Sequence, residues 1–174
     1  MAGSDAGTGD VDEVDEDFAH LRELLDELPS MERARDALAR ADAAAAAVEA
    51  DRRARDAESL LAQADEELVR ARAARVEAQA RGDSRLVEAC ERDELFRADS
   101  RGLREGPART LRAQADAAFE RAGLASIDQA RAALVDDGTR AAWERRIAAY
   151  QRDYAETLAR CRSAEGQGDG ARGA

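Results

Sequence analysis

The sequence predicts an all-α chain, an elongated helical hairpin or antiparallel coiled coil with disordered tails, and three observations carry that expectation. The 44% hydrophobic share is mostly alanine, with only 3% aromatic residues, so long helices are favoured and a bulky globular core is not. Charged residues make up 37%, and the 2 prolines and 12 glycines leave long uninterrupted stretches. Apolar residues recur at spacings of three and four, the period that places them on one face of a helix. Buried free energy scales with apolar area, at roughly 25 cal/mol per Å², so an alanine seam stabilises each turn far less than a leucine seam.

Element by element, Phe18, Leu21, Leu24, Leu25 and Leu28 form an amphipathic stripe that Pro29 interrupts, with Ser30 placed to cap the long helix after it. No glycine or proline then intervenes until Arg81. Met31, Ala34, Leu38, Ala41, Ala45 and Val48 form a heptad seam, and Ala54, Ala57, Leu61, Ala64, Leu68 and Ala71 continue it on a shifted register, as a stutter produces. Acid-before-base pairs recur outside it: Asp36 with Arg40, Glu49 with Arg53, Asp51 with Arg55 and Glu66 with Arg70. At ~1.5 Å per residue, such a helix makes a rod of roughly 75 Å. Gly82-Asp83 breaks it, and a weaker face of Leu86, Val87, Cys90, Leu95 and Phe96 comes next.

A second break is expected at Gly102, Gly106 and Pro107, with Pro107 opening a new helix. That helix runs to Gly123, a natural C′ residue, and Ser126 to Gln129 form a capping box. The short helix begun there ends at Asp136-Asp137-Gly138, and the last helix carries Trp143, Ile147, Tyr150, Tyr154, Thr157 and Cys161 in heptad register. The expected organisation is therefore an acidic tail at 1–12, N-terminal helices and a long coiled-coil helix at 13–81, a broken elbow at 82–107, a returning helix-turn-helix segment at 108–165 and a Gly-rich tail at 166–174. The residues expected to carry packing or association are Leu61, Leu68, Trp143, Ile147, Tyr150, Tyr154 and Leu158.

Charge excludes several functions. All 27 basic residues are arginine, as a GC-rich coding sequence favours, and the net charge is -11. A phosphate-binding loop needs a lysine ammonium, so the chain is not expected to be a P-loop ATPase. The acidic field repels nucleic acid and anionic membrane. There is no apolar run of about 18 residues, and the acidic start, Met1 to Asp17, is unlike an export signal; a cytoplasmic protein with no membrane association is expected. Cys90 and Cys161 stand far apart and form no Cys-x-x-Cys, which points to reduced thiols.

The candidate sites are few. His20 has Glu16, Asp17 and Glu23 within a turn, but no second histidine exists to build a metal site or triad. The acids from Asp10 to Asp17 lack the glycine turn of a calcium loop. Arg97, Arg101, Arg104, Arg109 and Arg112 make the one locally basic stretch, a candidate for phosphate contact, yet no aromatic interleaves to stack a base. Arg81-Gly82-Asp83 spells an adhesion tripeptide and is read as a helix break. No catalytic residue, cofactor or metal is expected.

Residues 114–162 resemble a known family. The turn Ala122-Gly123-Leu124-Ala125-Ser126, the short helix from Ala130 to Leu134, and Glu144, Ile147 and Tyr150 on a long helix are similar to the coiled-coil arm of the SbcC family of SMC-like nuclease ATPases. The resemblance covers about a quarter of the chain, and Leu124 stands where that family has phenylalanine. It implies a hinged antiparallel coiled coil in DNA-repair or chromosome-maintenance complexes. The family's ATP-binding lysine and Cys-x-x-Cys zinc hook have no counterpart here, so its ATPase, zinc and nuclease-recruiting functions transfer to no residue. The expectation is a non-enzymatic structural or interaction protein that binds a protein partner or itself; the alternative is a stand-alone scaffolding or assembly factor of phage or mobile-element type.

Overall fold

A computed structural model describes the backbone of residues 8–172 and the side chains of residues 14–164. Four helices occur in order, α1 (Thr8–Arg81), α2 (Ser84–Ala122), α3 (Ile127–Ala132) and α4 (Asp137–Arg172), with no strand among the described residues. The protein is all-α. Two compact units divide it, one made of Met1–Ala39 with Val135–Ala174, the other of Arg40–Leu134.

The helix ends reflect local chemistry. Gly82 takes φ 71° and ends α1, and Asp83 starts α2 by accepting the Leu86 N–H at 3.2 Å. Gly123, at φ 64° and ψ 30°, closes α2 while its own N–H donates to Glu120 and the Leu124 N–H donates to Phe119, a left-handed cap that glycine adopts without Cβ strain. Ser126 caps α3 by accepting the Gln129 N–H. The Gln129 side chain returns the bond to the Ala125 N–H, one residue earlier than a standard capping box would have it.

Several sequence expectations are corrected. Pro29 and Pro107 lie inside α1 and α2 and break neither. Each proline removes one backbone donor, but both flanks of each are anchored. Leu24 and Met31 are buried on either side of Pro29; Arg104 bonds the Leu60 carbonyl before Pro107, and Ala108 is buried directly after it. Ending the helix would forfeit one of the two anchors. Asp136 belongs to the start of α4, not the end of α3: its carboxylate accepts the Thr139 N–H at 2.9 Å and hydroxyl at 2.6 Å. Those bonds hold its carboxyl below the usual aspartate range. Residues 8–12 and 166–172, expected as tails, have helical backbone, because propagating a formed helix costs far less than nucleating one. Residues 1–7 and 173–174 lie outside the described residues.

In the second unit, α1 buries Ala41, Ala44, Ala47, Asp51, Ala54, Ala64, Leu68, Ala71 and Ala78, and Leu61 is half-buried. The expected seam holds from Ala54 to Ala71. Before it, Ala44 and Ala47 are buried and Ala45 is exposed, because the extra three-residue step lies between Ala41 and Ala47, earlier than the sequence pattern placed it. On α2 the facing row passes through Val87, Cys90, Glu94, Arg97, Arg101, Arg104, Ala108, Leu111, Ala115 and Ala118, all buried or half-buried.

Ion pairs join the two rows. Arg112 bonds Glu58 at 2.7 Å and Asp51 at 3.1 Å, Arg101 bonds Asp65 at 2.8 Å, Arg97 bonds Glu67 at 2.8 Å, and Glu94 accepts from Arg75 at 2.7 Å and Arg72 at 3.2 Å. Partner numbers rise on α1 as they fall on α2, so the helices run in opposite directions here. Asp51 is buried, and its second partner is Arg55 at 2.8 Å on its own helix. Replacing Arg112 by Met is expected to lower stability by about 1–2 kcal/mol, since a buried carboxylate then loses its cross-helix partner. Thermal unfolding followed by circular dichroism checks this, with Arg70→Met as a control that leaves the melting temperature in place, because the exposed Arg70 pairs with Glu66 within α1.

Candidate functional site

The polar cluster of the first unit is built where α1 meets α4. Leu24 and Met31 supply the buried apolar contacts of α1; on α4 Thr157 and Cys161 are buried, and Trp143, Ile147, Tyr150, Tyr154 and Leu158 are half-buried. The spacing of these α4 residues keeps them on one face. Tyr150 and Tyr154 stack with centroids 6.1 Å apart. The Tyr150 hydroxyl donates to the Leu24 carbonyl at 2.8 Å, one residue before the Leu25 carbonyl that Pro29, lacking an N–H, leaves without its helical donor. Burial raises the Tyr150 phenol above its ordinary pKa.

A hydrogen-bond chain runs beside the tyrosines. His20 Nε2 lies 3.0 Å from Asp153 Oδ1, and His20 Nδ1 lies 3.6 Å from Glu23. The Thr157 hydroxyl donates to the same Asp153 oxygen at 3.4 Å and accepts from Arg160 at 3.1 Å, and Arg160 reaches Asp17 at 2.8 Å. Thr157 is fully buried yet used in both directions, and no buried polar side-chain atom among the described residues lacks a partner. The bond to Asp153 raises the His20 pKa, with Glu23 adding to the effect. An open groove of about 290 Å³ borders the cluster, lined among others by His20, Glu27, Met31, Arg146 and Asp153.

Proton uptake by His20 is what this arrangement favours, because Asp153 and Glu23 both stabilise the charged imidazolium. No group of three or more metal-ligating side chains converges among the described residues.

The basic stretch is committed inside the second unit. Arg97, Arg101 and Arg112 pair with carboxylates of α1, Arg104 with the Leu60 carbonyl, and Arg109 with Glu105. Glu58, against Arg112, and Glu94, against Arg75 first and Arg72 second, titrate below the usual glutamate range, and Arg52 with Arg53 holds Glu49 down to about 2. No helix is long and apolar enough to cross a membrane among the described residues.

Sequence reasoning placed His20 near Glu23 but missed Asp153, which lies 133 residues away. Asp17, expected beside His20, serves Arg160 instead. Asp51 was read as an outward i, i+4 partner of Arg55, although its place in the three-four spacing between Ala47 and Ala54 was a usable signal. Compared with protein-family models, characterised proteins and solved structures, the chain matches none.

The His20 geometry fixes a sign for pH dependence. A histidine whose folded pKa is raised contributes stability that is full below its ordinary value of 6.5 and fades as pH rises through the folded value. The melting temperature of the parent should exceed that of His20→Gln near pH 6, and the gap should narrow as the pH rises above 6.5. Paired melts across that range check it; a gap that stays constant contradicts it.

Proposed function

We propose that the chain is a non-enzymatic structural and interaction protein, built as antiparallel helical hairpins of coiled-coil type. The observation that carries this reading is the opposed order of the ion pairs in each unit, Arg112 to Glu58 through Glu94 to Arg75 in one and Arg160 to Asp17 through Asp153 to His20 in the other. Opposed registers of this kind, with small residues between, are how an antiparallel pair of helices is held.

In its most specific form the proposal is an arm resembling that of the SbcC-type ATPases, without head or zinc hook, acting in a DNA-repair assembly in the cytoplasm. Support for that form is the turn at Gly123 and the short capped helix after it, two of the features the resemblance rests on. A stand-alone scaffolding or assembly factor of phage or mobile-element type, binding a protein partner, is the alternative.

Affinity capture from host lysate separates the two. Recovery of an SMC-like ATPase or its nuclease is expected for the arm; recovery of structural proteins without either selects the scaffold. Ile147→Glu with Tyr154→Glu should lower helicity or association, because both side chains are half-buried on the packed face of α4. Unchanged circular dichroism and unchanged mass by light scattering would count against the hairpin itself.

A further inference from the structure

The face of α2 turned away from α1 does not carry what a solvated helix surface ordinarily does. Leu103 is 78% exposed, Leu95 66% and Phe96 64%, while the buried residues on the opposite face of α2 are Ala108, Ala115 and Ala118. Between Leu95 and Thr110 the large apolar side chains lie outside, while the apolar residue buried against α1 is Ala108. Among the outer residues stand Gly102 and Gly106, one turn apart, both exposed, with nothing within 4 Å of where a Cβ would sit. Neither has a positive φ, so neither is required by the backbone, and a helix interior favours alanine over glycine. Within this chain the two glycines therefore cost helix stability and return no contact. Their use is the one small residues have wherever two helix backbones approach closely.

Charge on this face says what approaches. From Leu95 to Thr110 its outward charges are Asp99, which has no ion pair among the described residues, and the exposed Arg109, whose partner Glu105 is on its own helix. Asp99 and Arg109 lie five residues to either side of Arg104, and Gly102 and Gly106 lie two to either side. A two-fold axis at that level sets Gly102 against Gly106 of a second copy and Asp99 against Arg109 of a second copy, with Leu103 and Phe96 covering the crossing. Copies carrying a net charge of -11 repel one another in general, and this strip, whose outward Asp99 and Arg109 cancel and are self-complementary, adds nothing to that repulsion.

We propose that the outer face of α2 between Leu95 and Thr110 is an isologous interface at which two copies of the chain cross antiparallel at Gly102 and Gly106. The inference needs α2 to be continuous through Pro107 and does not depend on the arm or scaffold reading.

Sedimentation equilibrium of the full chain, from roughly 1 to 200 µM, tests it. A monomer–dimer equilibrium is expected. Gly102→Ala with Gly106→Ala should keep or raise helicity by circular dichroism and yet weaken dimerisation at least about tenfold, an outcome that a purely structural role for the glycines does not produce. Asp99→Arg and Arg109→Asp should each weaken the dimer, and the two together should restore it, because the swap preserves the cross-pairing. A chain that stays monomeric throughout, a dimer indifferent to the glycine substitutions, or a double charge swap no better than either single one overturns the proposal. Dimerisation that is lost in Ile147→Glu with Tyr154→Glu and retained in all α2 variants assigns association to the α4 face instead.

Discussion

A seam of alanines lets two helix backbones come close but does little to stop them sliding. Each methyl removes little area from water, and a shift of one heptad exchanges one alanine for another at nearly equal free energy. What distinguishes one register from the next in the second unit is where the arginines meet carboxylates. Asp51 matters most among these, because it is the buried one: sliding the helices would leave a charge in the seam without its cross-helix guanidinium, which costs far more than an exposed pair gains. The remaining pairs, from Glu58 to Glu94, share the same offset and are individually modest. Together they make a single alignment self-consistent.

The first unit solves the same problem with different chemistry. Its α4 face holds the tryptophan and both tyrosines, so shape and area contribute to alignment there, and polar groups refine it. Tyr150 reaches a backbone carbonyl of α1 in the turn that Pro29 weakens, so the proline and the tyrosine are two halves of one local arrangement. Thr157, buried between Asp153 and Arg160, links the histidine pair to the Arg160–Asp17 pair, so that fastenings about two turns apart share one hydrogen-bond chain.

All-α architecture, the Gly82 and Gly123 turns, the Ser126 cap and the seam from Ala54 to Ala71 were legible from spacing and local chemistry. The two prolines were misread for a physical reason: a local rule about donors says nothing of anchors such as Leu24, Met31 and Ala108, which depend on residues far along the chain. The candidate site was less legible still. His20 could be placed beside Glu23 by helix periodicity, but its stronger partner, Asp153, comes from another helix, and no local pattern announces such a pairing. Likewise Arg97, Arg101 and Arg112 looked like part of a basic patch because their cross-helix carboxylates lie 30 to 61 residues away.

The cations that join helices here are guanidiniums, apart from His20. A guanidinium keeps its charge at every pH a cell reaches, and the enzymes that acetylate, or attach ubiquitin to, lysine side chains have no target among them. The alignment of the second unit is therefore closed to the commonest covalent way of cancelling a positive charge. Lysine-directed modification has no point of entry in this ladder, and the surfaces the ladder leaves free hold no lysine either.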